Sequence, residues 1–188
     1  MDSRIAIVGL GNPGRDYAST RHNLGYRVID LLCERWGASL SGGKGEYHVA
    51  VTQFTGIPVL LARPTTWMNQ SGFAVQGLLS WYRIEVEDLL VVSDDVNLPV
   101  GRMRFRQGGA SGGHRGLEHI IYQLGKDEFV RLRIGVGAEN MPDDLKGYVL
   151  SPFRAEELST IEEMVERSAD AVETYLTSDL EEAMNLFN

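Results

Sequence analysis

Four polar side chains in three separate loops carry the means for hydrolytic chemistry: His22, Asp94, Asn12 and Asn69. An imidazole with an ordinary pKa of about 6.5 accepts a proton at neutral pH. A carboxylate that accepts a hydrogen bond from the other ring nitrogen fixes the tautomer and supports the imidazolium. Such a pair can activate water, so no Ser or Cys nucleophile is needed. A carboxamide donates to a carbonyl oxygen with one end and accepts with the other. Asn12 and Asn69 beside a histidine therefore suit the holding of an ester or a peptide backbone. Each residue alone also has an ordinary explanation. A histidine near a helix start caps or packs, Asp94-Asp95 can cap a turn, and asparagine is common in turns for conformational reasons.

The stretch "RIAIVGLGNPG" at 4–14 runs a strand signal into G-x-G-x-x-G, the dinucleotide fingerprint. Its surroundings oppose a nucleotide. The helix should open at the glycine turn, with its N–H groups facing a pyrophosphate. Here the following residues are polar and irregular, and apolar spacing of three and four resumes only at Leu24, Val28, Leu31 and Leu32. Pro13 removes a backbone donor, and the acid at about the right distance, Asp30, falls inside that helix pattern. The alternative is a tight turn that presents Asn12 at the mouth of a cleft. A second glycine-rich run, Gly108, Gly109, Gly112, Gly113 and Gly116, leads into a helix signal and could bring backbone N–H groups to a phosphate. Its Gly113-His114-Arg115-Gly116 matches a GXXG clamp, without other signs of a KH fold. His22, His114 and the two aspartates lack metal-ligand spacing, so no metal is expected.

The elements that must position these loops read as follows. Strand signals fall at 4–9, about 47–53, 57–62, 89–93, about 102–106 and 131–136. Helix signals fall at about 21–36, with Thr20 as N-cap, and at 70–83, 113–124, 154–176 and 179–187. The interleaving predicts an α/β fold, one domain over 1–188, with a mixed, largely parallel twisted sheet covered by helices on both faces. Thr55-Gly56 reads as the turn of an antiparallel hairpin. In such sheets, sites form at the carboxyl ends of strands, where the loops bearing Asn12, Asn69 and Asp94 begin.

Composition narrows the class. With 43% apolar residues in 188, the core is ample, and no run reaches the ~18 to 20 apolar residues of a membrane span. The early first strand leaves no room for a signal peptide. Cys33, the only cysteine, excludes an internal disulfide and fits a buried thiol in a reducing, cytoplasmic setting. The net charge of −8 is unevenly spread: residues 1–138 hold 15 Lys+Arg and 13 Asp+Glu, residues 139–188 hold 3 and 13. Between 99 and 133 lie Arg102, Arg104, Arg106, Arg115, Lys126, Arg131 and Arg133, a concentration compatible with a polyanion site. The acidic tail is expected to face away from it.

Four stretches in order, "VGLGNPGRDYASTRHNLG", "RPTTWMNQSG", "DDVNLPVGRMRFRQGGASGGHRGL" and "VRLRIGVG", resemble those of bacterial-type peptidyl-tRNA hydrolases, and the likeness runs from the first strand to the final helices. The resemblance implies a single α/β domain, a monomer that uses no metal or cofactor. It implies cleavage of the ester between a peptide and the tRNA 3′ ribose, with peptidyl-tRNA as partner and no membrane. By motif it implies His22 as general base and Asp94 as the group that orients it. Asn12 and Asn69 would hold the peptide end and the water or ester carbonyl, Met68 would line the cleft, and Tyr17 would lie beside it. Arg106 and Arg133 fall where the family grips tRNA phosphate. Two positions depart from the pattern. Arg115 stands where "GGHNG" has an asparagine that helps seat the tRNA end, and Asn97 where "DLDLP" has an aspartate. The two changes would exchange charge across the cleft. A non-catalytic RNA-binding protein on the same fold is the competing reading, and a pure binder would need none of His22, Asp94, Asn12 and Asn69.

Overall fold

The computed structural model describes residues 4–188. Near-continuous apolar runs suit strands buried on both faces. β1 (Ile5–Gly9), β4 (Ile57–Pro64), β5 (Leu89–Pro99) and β7 (Val130–Gly137) are such runs, and they pair in parallel at the centre of a mixed sheet. β2 (Ser41–Gly42) and β3 (Tyr47–Phe54) extend one edge and β6 (Met103–Gln107) the other, all antiparallel, in the order β2-β3-β4-β1-β5-β7-β6. The β3–β4 hairpin turns at Thr55-Gly56, both with positive φ, the conformation that matches strand twist.

Alternating side chains feed two cores. Ile7, Leu90 and Val92 pack with α1 (Leu24–Arg35), α5 (Leu158–Thr177) and α6 (Leu180–Phe187). Ala6, Val8, Leu89 and Val91 pack with α2 (Ser71–Tyr82) and α3 (Arg115–Leu124) on the other face. Phe105, Leu132 and Ile134 join the first core, so Arg104, Arg106, Arg131 and Arg133 project to the opposite face from acidic α5 and α6. Cross-strand pairing sets Arg104 against Arg133 and Arg106 against Arg131.

Several boundaries differ from the sequence pattern. Residues Arg21–Asn23 form a separate 3-10 turn before α1, and the Thr20 hydroxyl donates back to the Tyr17 carbonyl instead of capping a helix. β5 runs on through Asp94 and Asp95 to Pro99, because its polar residues still pair with β7 across a register shift. A short helix, α4 (Leu145–Val149), is capped by Asp144, whose side chain accepts from the Gly147 N–H at 2.9 Å.

The glycines of "GLGNPG" serve packing. A Cβ on Gly9 would lie 2.1 Å from the Gly25 carbonyl oxygen, and one on Gly25 would lie 2.3 Å from Leu10 N, so β1 and α1 touch backbone to backbone. A Cβ on Gly11 would meet the Tyr26 ring at 2.7 Å, and Gly14 has φ +107°. Overpacking a tight core costs about 1–3 kcal/mol or more. Gly25→Ala is expected to lose at least that much in urea denaturation, whereas Gly42→Ala, at a site with open space, is expected to stay within about 0.5 kcal/mol of the native protein.

Candidate active site

The ends of β1, β4 and β5 and the start of α3 bring four loops together. Gly9 and Gly25 let α1 sit close to β1, which carries the preceding 3-10 turn to the part of β5 just beyond its apolar run. There His22 Nδ1 contacts both carboxylate oxygens of Asp94 at 2.9 Å. His114 approaches from the glycine-rich loop, its Nε2 2.9 Å from Asp94 Oδ1. Asp94 is 2% exposed and the two rings are 4.8 Å apart between centroids.

The hydrogen bonds settle the tautomers. His114 is the N-cap of α3: its Nδ1 accepts from the N–H groups of Gly116 at 3.1 Å and Leu117 at 3.3 Å. Its proton therefore sits on Nε2 and is donated to Asp94. His22 donates from Nδ1 to the same carboxylate, which leaves the lone pair of the neutral ring on Nε2. Burial alone would push His22 down, but the Asp94 carboxylate in contact outweighs it and holds the imidazole above its ordinary value. Burial would raise Asp94, yet His22 and His114 together keep it well below the usual carboxylate range. Asp94 is thus an anion at neutral pH. His22, Asp94 and His114 are also the one group among the described residues whose donor atoms, within 4.8 Å of one another, could face a metal. Of their nitrogens, His22 Nδ1 and His114 Nε2 are engaged with Asp94.

A second network fixes the amides. Asn12 N–H donates to Asn23 Oδ1 and Asn23 Nδ2 donates to the Asn12 carbonyl, each at 2.9 Å. Asn12 Oδ1 accepts from Met68 N–H at 2.8 Å, so its Nδ2 is the end left to donate. Met68 is buried beside Gly116, where a Cβ would stand 2.5 Å from its sulfur. Asn69 is exposed on the same 3-10 turn, Met68–Gln70. Tyr17 stands half-buried, edge-on to exposed Trp67 with centroids 5.7 Å apart.

The basic residues divide by task. Arg106 is exposed and lies against Gly109, where a Cβ would be 3.0 Å from its guanidinium. Arg133 pairs through Nε with Asp95 Oδ2. Arg131 is buried and donates to the carbonyls of Ala110, Gly109 and Asp127, holding the glycine-rich loop by its backbone. Asn97 donates through Nδ2 to the Gly112 carbonyl at 3.1 Å, a contact an aspartate could not make. That gives Asn97 a loop-holding task of its own. Arg115 is exposed in the first turn of α3. Sequence reasoning missed the role of His114, although its place between a glycine run and a helix was the available signal for a cap.

A family profile described as Peptidyl-tRNA hydrolase matches residues 6–188. The chain belongs to the peptidyl-tRNA hydrolase family. It is 47% identical over 182 residues to a peptidyl-tRNA hydrolase of Chlorobaculum tepidum, covering 97% of this chain and 96% of the relative. It is 41% identical over 182 residues to one of Bacillus cereus, covering 97% and 98%. Among solved structures, peptidyl-tRNA hydrolase from Acinetobacter baumannii superimposes with a TM-score of 0.92 at 33% identity, over 98% of this chain and 94% of that one. Members of the peptidyl-tRNA hydrolase family are hydrolases, and among the described residues no helix is long and apolar enough to cross a membrane.

The opposing causes at His22 give a direct test. Asp94→Asn removes the charge and leaves the burial. In an NMR titration of the imidazole carbons, His22 is expected to titrate above about 6.5 in the native protein and below it in the variant. An unchanged midpoint would mean that Asp94 does not govern the ring.

Proposed function

We propose that the chain hydrolyses peptidyl-tRNA at the ester between the peptide's C-terminal carboxyl and the tRNA 3′ ribose, releasing tRNA from aborted translation, with His22 as general base. The observation that carries this is the His22 Nδ1–Asp94 contact at 2.9 Å, which leaves Nε2 free to take a proton from water. The nascent hydroxide attacks the ester carbonyl. The Asn12 Nδ2 group, whose oxygen is committed to Met68, donates to the oxyanion, and Asn69 completes the grip on the peptide end. The imidazolium, supported by Asp94, then returns the proton to the leaving ribose oxygen. Asp94 orients His22, and His114 holds Asp94 through the same Oδ1.

Met68 and Tyr17 border the peptide. Arg106 and Arg133 contact tRNA phosphate from the face opposite the acidic helices, Arg133 with Asp95 aligning its guanidinium. Arg115 contacts the acceptor end. The reaction needs no metal or cofactor, and the protein acts as a cytoplasmic monomer over 1–188. Retention of His22, Asp94, Asn12 and Asn69 together disfavours a pure RNA binder.

The test is release of free tRNA from an N-acetyl-aminoacyl-tRNA, with unblocked aminoacyl-tRNA as control. The blocked substrate is expected to be cleaved and the control spared. His22→Ala is expected to lower kcat by about 10²–10⁴-fold with tRNA affinity kept. Full turnover in that variant would remove His22 from the mechanism.

A further inference from the structure

Arg21, which precedes the proposed base, is a charge at 2% exposure. A guanidinium stays protonated, and taking it out of water is costly unless partners replace the water. Its partners come from one segment, 130 to 136 residues further along the chain. Nη1 donates to Ser151 Oγ and to the Pro152 carbonyl, and Nη2 to Glu157 Oε2, each at 2.7 Å. The guanidinium carbon lies 4.3 Å from the Tyr148 ring centroid and 5.2 Å from that of Phe153. The backbone repeats the connection: Arg21 N–H donates to the Ser151 carbonyl at 3.1 Å, and Thr20 bridges to Pro152. The segment folds on itself at Glu157 and is anchored to β7 at Tyr148. Glu157 Oε2 accepts from Arg154 N–H at 2.7 Å, and Tyr148 Oη donates to the Val136 carbonyl at 2.6 Å.

A buried ion pair is a weak source of stability, since apolar replacements often match it. Position is what this one supplies. A three-residue 3-10 turn has poor internal hydrogen bonding, so its placement depends on its flanks. On one flank Asn23 grips Asn12; on the other stands Arg21, and His22 lies between. We infer that Arg21 is a positioning residue for the hydrolysis: with Glu157 as counterion it bolts the His22 turn to residues 148–157 and keeps the imidazole in register with Asp94. This rests on the reading of His22 as base.

Glu157→Ala removes the counterion and Glu157→Gln keeps an acceptor of the same size. Both are compared with the native protein for kcat, KM and thermal stability, and by proton NMR of the His22 Nδ1–H held by Asp94. Displacement of catalytic groups by about 1 Å costs up to about 10²-fold. Glu157→Ala is therefore expected to lower kcat about 10-fold or more with KM within about twofold, and to broaden or shift the Nδ1–H signal. Glu157→Gln is expected to recover much of both. Unchanged kcat, or a loss that Gln does not recover with the Nδ1–H signal undisturbed, overturns the inference. His22→Ala in parallel separates the two claims. Activity kept there sinks the base assignment itself; activity lost there, with Glu157→Ala fully active, sinks only the role of Arg21.

Discussion

The Asp94 carboxylate is the constraint on which the rest of the site depends. A charge buried this deeply costs several kcal/mol, roughly, unless hydrogen-bond donors surround it. Two imidazoles supply those donors, side by side. Each must then present a particular nitrogen. His114 can do so because the start of α3 takes its other nitrogen, through the N–H groups of Gly116 and Leu117. His22 has no such second partner among the described contacts, and that asymmetry separates a ring that holds Asp94 from a ring free to accept a proton.

The demand reaches into the fold. β5 has to carry Asp94 beyond its apolar run while staying paired to β7, and the register shift after Asp95 accommodates the turn. α1 has to approach β1 closely enough for the preceding turn to reach β5, which only glycine at 9 and 25 permits. The glycine-rich loop has to hold its shape without side chains of its own, and Arg131 and Asn97 hold it by its carbonyls. The basic concentration in the sequence thus mixes a buried structural arginine with exposed ones.

Much of this was legible from sequence because it is periodic. The near-continuous apolar runs of β1, β4, β5 and β7 and the helical stripes mark the layers, and the hairpin turn announces itself at Thr55-Gly56. Convergence of the loops followed from topology. What escaped was what depends on distant partners. The 3-10 turn at Arg21–Asn23 reads as helix because its partners lie outside the local pattern, Glu157 for Arg21, Asp94 for His22 and Asn12 for Asn23. Leu158 continues the apolar stripe of α5 yet is 45% exposed. β2 and α4 are too short to carry a period. His114 fits no catalytic spacing, because its task is set by Asp94 across the fold.

If an anionic Asp94 makes His22 the base, the proton that blocks catalysis is the one on His22 Nε2, and the carboxylate raises the pH at which it leaves. The dependence of kcat on pH measures this most directly. The rate is expected to fall on the acid side through a single ionisation centred above about 6.5, since the net shift of His22 is upward. A limb centred below that value, or a rate flat through it, would contradict the account.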